Sequence, residues 1–275
     1  MSEGFDFYRW RLVVFGSIIT SLILFSAIFA PWIAPYSPYD LDYVTMLQAP
    51  SAAHWLGTDE IGRDTLSRVI YGARISMQVA FIAAGIGLVF GALIGVTAAY
   101  FGGIVDMVLM RLMELLFSFP AILLAVVLMA SLGTSVLNAM IAIGIVFIPG
   151  FSRLARAATE VVLREQYVES ARAIGMSHTR ILLREIMPNI AAPLLVEAAI
   201  AFSYAILLES ALSFLGLGAQ PPEPSWGNML NTGRGFMAQS AMMSIAPGMA
   251  IFLTVIGFNF IGDGLRDALD PHMKD

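Results

Sequence analysis

Apolar residues run in six long blocks, and the polar stretches between them set the expected architecture. The blocks cover 12–33, 76–100, 105–132, 137–158, 190–218 and 243–261. At about 1.5 Å of rise per residue, roughly 20 helical residues cross a hydrocarbon core of about 30 Å, so each block is long enough to span. The first exceeds the apolar region of about 7–15 residues found in a signal peptide, and it reads as an uncleaved anchor. The second is rich in small residues, with Gly87, Gly91 and Gly95 four apart on one face. That face predicts close helix packing. Two polar segments are too long to be turns, 34–75 and 159–188. In the first, Ile61, Leu66, Val69, Ile70 and Ile75 recur at near-helical spacing with Arg63, Asp64, Arg68 and Arg74 between them. This predicts an amphipathic helix over 62–76 lying on the membrane surface. The expected organisation is an N-terminal part, 1–75, holding the first span and this segment, and a core, 76–275, with five spans and the 159–188 loop.

Composition agrees with the pattern. Of the 275 residues, 58% are hydrophobic and 13% charged, with a mean hydropathy of +0.80. A soluble domain carries about 25% charged residues, so this chain cannot cover a water-facing surface and its solvent is lipid. The net charge of −5 says less than where the charges sit. With the N-terminus inside, Arg9, Arg11, Arg153, Arg156, Arg164, Arg172, Arg180, Arg184, Arg266 and Lys274 fall inside, with Arg111 near that face. Arg63, Arg68, Arg74 and Arg234 fall outside. That bias predicts a multi-pass protein with both termini in the cytoplasm.

Charges within the blocks include Arg111, Glu114, Glu197 and Glu209. Arg111 and Glu114, three apart on one helix, are expected to pair. Glu209 either lines a passage, meets a partner subunit or is hydrogen-bonded between helices. Glu197, twelve residues earlier, lies about 120° around the helix at about 3.6 residues per turn, so the two cannot share one narrow face.

In the 159–188 loop, residues 161–174 are good helix formers, and Gly175 is placed to stop that helix. Ser177 is placed to cap a second helix over 179–187, striped by Ile181, Leu182 and Ile186. Pro188 suits the first turn of the helix after it. On physics alone Glu169 reads as a solvated carboxylate and Gly175 as an ordinary cap.

Enzymatic chemistry is hard to place. A phosphate-binding loop needs a lysine, and the only lysine is Lys274. The absence of cysteine removes thiolate metal sites and cysteine nucleophiles. His54, His178 and His272 lie in three separate regions without zinc-site spacing, and no G-x-S-x-G elbow occurs. No catalytic residue, resident metal or nucleic-acid partner is expected.

Glu169-Ser170-Ala171, then Gly175 and Pro188, resembles the coupling loop of binding-protein-dependent ATP-binding-cassette importer permeases. Ser170 stands where that family usually has alanine, Glu185 where isoleucine is common, and Met187 replaces leucine. Four further stretches are similar to the dipeptide, oligopeptide and nickel subgroup, and to its second, "C-type" permease: Leu56 to Asp64, Ala99 to Gly103, Gly216 to Gly227, and Gly262 to Pro271. The resemblance implies an all-α, six-span type I importer permease in the inner (cytoplasmic) membrane. It implies a second permease, two cytoplasmic ATPases that hold ATP and Mg, and an extracytoplasmic solute-binding protein. Glu169, Ser170, Ala171, Gly175 and Pro188 would be the coupling residues. The implied cargo is a di- or oligopeptide, with nickel complexes or glutathione as alternatives. A proton-coupled secondary transporter using Glu197 or Glu209 is the rival of another class.

Overall fold

The computed structural model describes residues 3–269, with side chains described from Leu12 to Ala268. Arg9 and Arg11 therefore lack described side chains, and Pro271, His272 and Lys274 lie outside the described residues. The elements are helical: α1 (Glu3–Ile33), α2 (Thr65–Phe101), α3 (Gly103–Phe117), α4 (Ala121–Leu132), α5 (Val136–Val162), α6 (Gln166–Ala173), α7 (His178–Ile181), α8 (Met187–Phe214), α9 (Trp226–Gly233) and α10 (Met242–Leu269). Five helices are long and apolar enough to cross a membrane, and α3 with α4 makes a sixth crossing if the bent pair is one span.

α2 stands at the centre of the bundle. Its glycine face lies against α5 so closely that a Cβ on Gly87 would sit 2.5 Å from the Phe147 Cβ, and one on Gly91 would sit 2.8 Å from the Ile148 carbonyl. A Cβ on Gly95 would meet the Ser152 carbonyl. The packing expected of these glycines is thus what the structure contains, and Phe151 is buried in the seam. α2 also meets α8, where Phe81 packs edge-on to Phe202 at 4.6 Å. α10 closes against α8 through Phe202 and Phe258 at 4.0 Å. It closes against α1 where a Cβ on Gly16 would crowd Phe260 and the Gly257 carbonyl.

Two expectations about the elements are corrected. The third apolar block is not one straight helix: α3 and α4 are bent by 92°. Pro120 lacks an N–H and drives Phe119 out of helical conformation, so α3 ends at Phe117, capped by Ser118, and α4 restarts after Pro120. No separate surface helix covers 62–76. Residues 65–76 open α2, which runs unbroken for 37 residues, roughly 55 Å. Arg68, Ile75 and Ser76 are buried there.

The reason is a folded cap built from 34–64. Asp64 caps α2, its Oδ2 accepting from the Ser67 N–H (2.8 Å) and hydroxyl (2.7 Å), and His54 Nδ1 lies 2.9 Å from its Oδ1. Asp59 binds Arg63 at 2.6 Å and Arg68 at 3.5 Å, and Arg68 donates to the Pro38 carbonyl. Arg63 and Arg68, expected to lie on a membrane surface, are satisfied inside this cap instead, while Arg74 stays exposed. Glu60 joins through Arg63 at 3.1 Å. Burial first, and Asp59 second, raise its carboxyl above the usual range, and Arg63 offsets this only in part. A raised folded-state value means that stability is fully present below the ordinary glutamate range and is lost as pH climbs through the raised one. Glu60→Gln should therefore unfold at a higher temperature than the parent at pH 7, and the gap should close toward pH 4. Melting curves in detergent at both pH values check this, and a gap that widens on acidification would contradict it.

Candidate functional site

The most exposed helical feature is the hairpin between α5 and α8. α5 runs to Val162 and a short turn leads into α6. The helix expected over 161–174 is therefore two helices, broken at 163–165. α6 buries Val168 and Ala171 and exposes Glu169 and Ser170, whose hydroxyl donates to the Gln166 carbonyl at 2.9 Å. Gly175 ends it with a φ of +75°. The Gly175 N–H donates to the Arg172 carbonyl and the Met176 N–H to the Ala171 carbonyl, both at 3.0 Å. This paired reversal needs the left-handed conformation that glycine adopts without steric cost. Ser177 takes the capping position of α7, though its side chain makes no cap bond.

The second arm of the hairpin departs from expectation. No separate helix spans 179–187. α7 passes through a π turn (Leu182–Ile186) straight into α8, so that one helical rod runs from His178 to Phe214. Pro188 cannot donate to the carbonyl four residues back, and the wide turn lies just before it. Pro188 itself is exposed, while Ile181 and Ile186 are buried beneath the hairpin. Ile174 stands 78% exposed beside Gly175. The structure thus brings Glu169, Ser170 and Gly175 onto one small protrusion, with Ala171 beneath them and Pro188 at the far root.

Toward the opposite end of the bundle, Glu209 is 1% exposed at the contact of α2 and α8. Its Oε2 accepts from the Ser76 hydroxyl at 3.0 Å and its Oε1 from the Ser213 hydroxyl at 2.8 Å. The Ser213 oxygen also accepts from the Ala219 N–H at 3.3 Å. The carboxyl thereby fastens α2 to α8 and to the turn after it, where Gly216 repeats the reversal seen at Gly175. Glu197 is half-buried and makes no ion pair or side-chain hydrogen bond among the described residues. The two glutamates occupy different faces, as their spacing requires. Glu209→Ala leaves two buried hydroxyls without their acceptor and should cost about 2 kcal/mol. Glu209→Gln, which keeps an acceptor, should cost less; thermal unfolding in detergent reads the difference.

Arg111 and Glu114 pair at 2.9 Å as expected. Two groups escaped the sequence. Asp106 holds Arg156 bidentately at 2.6 and 2.7 Å, joining α3 to α5 across 50 residues, a separation with no local signal. Trp226, on the unforeseen α9, is 1% exposed and donates from Nε1 to the Val69 carbonyl at 3.0 Å. Gly72 leaves room for its ring. The proline-rich approach and Ser225, which caps α9 by accepting from the Asn228 N–H, were the signal for that helix.

Comparison with known proteins places this architecture. Residues 5–50 match the N-terminal TM domain of oligopeptide transport permease C. The dipeptide transport system permease protein of Alkalihalophilus pseudofirmus is 46% identical over 96% of this chain and 87% of its own length. The glutathione transport system permease protein of Escherichia coli is 44% identical over 98% of this chain and 89% of its own, and that of Pectobacterium atrosepticum is 41% identical over the same shares. Among solved structures, an inward-facing form of the MetNI methionine ABC transporter aligns with a TM-score of 0.59 at 17% identity. That alignment covers 74% of this chain and 97% of that one. An amino acid ABC transporter aligns at 0.57 and 15% identity, covering 74% and 95%. At such identities the likeness is one of fold. Residues 87–275 match the family described as binding-protein-dependent transport system inner membrane component, and the chain belongs to that family.

Proposed function

We propose that this permease imports di- or oligopeptides, and that its α6–α7 hairpin takes the stroke of partner ATPases which hold ATP and Mg. The observation that carries the reading is the hairpin itself. A short polar helix, turned back at Gly175 and exposing Glu169, Ser170 and Ile174, has the size and chemistry to seat in a groove of a soluble protein. Six arginines (Arg153, Arg156, Arg164, Arg172, Arg180 and Arg184) lie from the end of α5 through the hairpin, which supports a cytoplasmic placement for that end. The cap of 34–64 then faces outward, toward a solute-binding protein, and a second permease completes the pathway. The peptide reading is supported by the names of the relatives quoted above, and glutathione, itself a peptide-like solute, is the second reading. Purification of the tagged chain in mild detergent tests the assembly. Two nucleotide-binding subunits and a second permease should co-purify; a chain recovered alone from cells that express its operon partners contradicts the proposal. Uptake of labelled dialanine competed by glutathione, and the reverse, then separates the two cargoes.

A further inference from the structure

The end of α2 is hydrogen-bonded to the hairpin by one side chain, with the Phe101 ring lying 6.3 Å from that of His178 beside it. Tyr100, the penultimate residue of α2, shares a hydrogen bond of 2.6 Å with Nδ1 of His178, the first residue of α7. Their rings meet edge to face, with centroids 5.5 Å apart and planes at 82°. Arg172, on α6, sets its guanidinium 5.4 Å from the centre of the same Tyr100 ring, within the range of a cation–π attraction. One aromatic side chain therefore touches both arms of the hairpin, one contact before the Gly175 turn and one after it. Among the described residues no other side-chain hydrogen bond or ion pair joins 165–181 to a different membrane-spanning helix.

What lies on either side of Tyr100 gives the contact mechanical meaning. Immediately beyond it, Gly102 (φ +61°) and Gly103 (φ +55°) turn the chain into α3 with no atom crowding either glycine. Nothing packs against the glycines of that joint. On the other side α2 is a continuous rod, interlocked with α5 along its glycine face and bonded to α8 through Ser76 and Glu209. A push delivered at Tyr100 would thus act on α2 and, through it, on the contacts with α5 and α8.

We propose that Tyr100 is a positioning residue that passes movement of the α6–α7 hairpin into α2, through its bond to His178 and its ring contact with Arg172. The inference rests on the reading of the hairpin as the coupling element. It differs from transmission along α7 alone, because it gives the hairpin a second route that reaches the α2–α5 seam directly.

The test uses the assembled complex, this chain with its second permease and ATPases in liposomes, driven by the binding protein loaded with labelled dialanine or labelled glutathione. Cargo moved per ATP hydrolysed is the readout, and recovery of the ATPase subunits with each variant controls for assembly. Tyr100→Phe, which keeps the ring, and His178→Ala should each lower the ratio about fivefold, the equivalent of one ordinary hydrogen bond. The double variant should fall no further than the worse single. His178→Asn, which can place a polar atom near the position of Nδ1, should recover most of the loss. Amide exchange over 172–178 should quicken in Tyr100→Phe. Parent-like ratios in both single variants, losses that multiply in the double, or unchanged exchange would each overturn the inference. Gly175→Pro, run in parallel, separates the failures. If it uncouples while Tyr100→Phe does not, only the Tyr100 clasp is wrong. If it couples normally, the hairpin reading falls and takes the clasp with it.

Discussion

Gly175→Pro is expected to leave the chain inserted and assembled while transport-coupled ATP turnover falls on the order of tenfold or more. The backbone there has a φ of +75°, and the proline ring holds φ near about −65°. The substitution also deletes the Gly175 N–H that donates to the Arg172 carbonyl. Proline further disfavours the helical conformation of the residue before it, and Ile174, which caps α6, sits at φ −80° and ψ 5°. The reversal must then open, and Glu169 and Ile174 lose their placement relative to His178. A Cβ at 175 meets no other atom, so neither packing nor insertion has cause to change. Membrane levels by immunoblot and transport-stimulated ATP hydrolysis by the complex are the two measurements. Normal coupling at a normal level would remove the role assigned to the turn.

The second large effect is structural. Gly91→Leu should remove most of the folded protein from the membrane, because even a Cβ there would collide with the Phe151 side chain, the Ile148 carbonyl at 2.8 Å and the Ser152 nitrogen at 3.0 Å. Two of these are backbone atoms of α5 and cannot swing aside. Overfilling a close seam costs about 3 kcal/mol, a large share of a total stability of about 5–15 kcal/mol. Gly85→Leu is the control. No atom lies within 4 Å of a Cβ at that position, so the same side chain there should be tolerated. Equal levels of the two variants, measured by fluorescence-detected size exclusion, would show that the α2–α5 contact is looser than described.

These outcomes depend on features of unequal legibility. The glycine face of α2 and the stop at Gly175 were readable because each is local: a period of four on a helix, and one residue type suited to one backbone conformation. The Arg111–Glu114 pair was readable for the same reason. Proline signals were ambiguous. Pro31, Pro149, Pro193 and Pro247 all lie inside helices that continue past them, whereas Pro120 accompanies a bend of 92°. Whether a proline kinks, breaks or is absorbed depends on which neighbours re-satisfy the freed carbonyl, and a linear pattern does not carry that information. The stretch 62–76 misled for a related reason. Its arginines suggested a wet surface, but Asp59 and the Pro38 carbonyl come from a cap that only folding brings beside them.

Taken alone, the amino-acid sequence determined the solvent, the apolar blocks, the glycine seam and the reversal at Gly175. Each follows from composition or from spacing shorter than one helical turn or two. The tertiary structure decided the rest: that α2 extends through 65–76, that α3 and α4 part at Pro120, that Glu209 binds Ser76 across 133 residues, and that Tyr100 grips His178 across 78. Those choices depend on pairings between distant segments, whose energies appear only when the helices have packed and each buried polar group has found its partner.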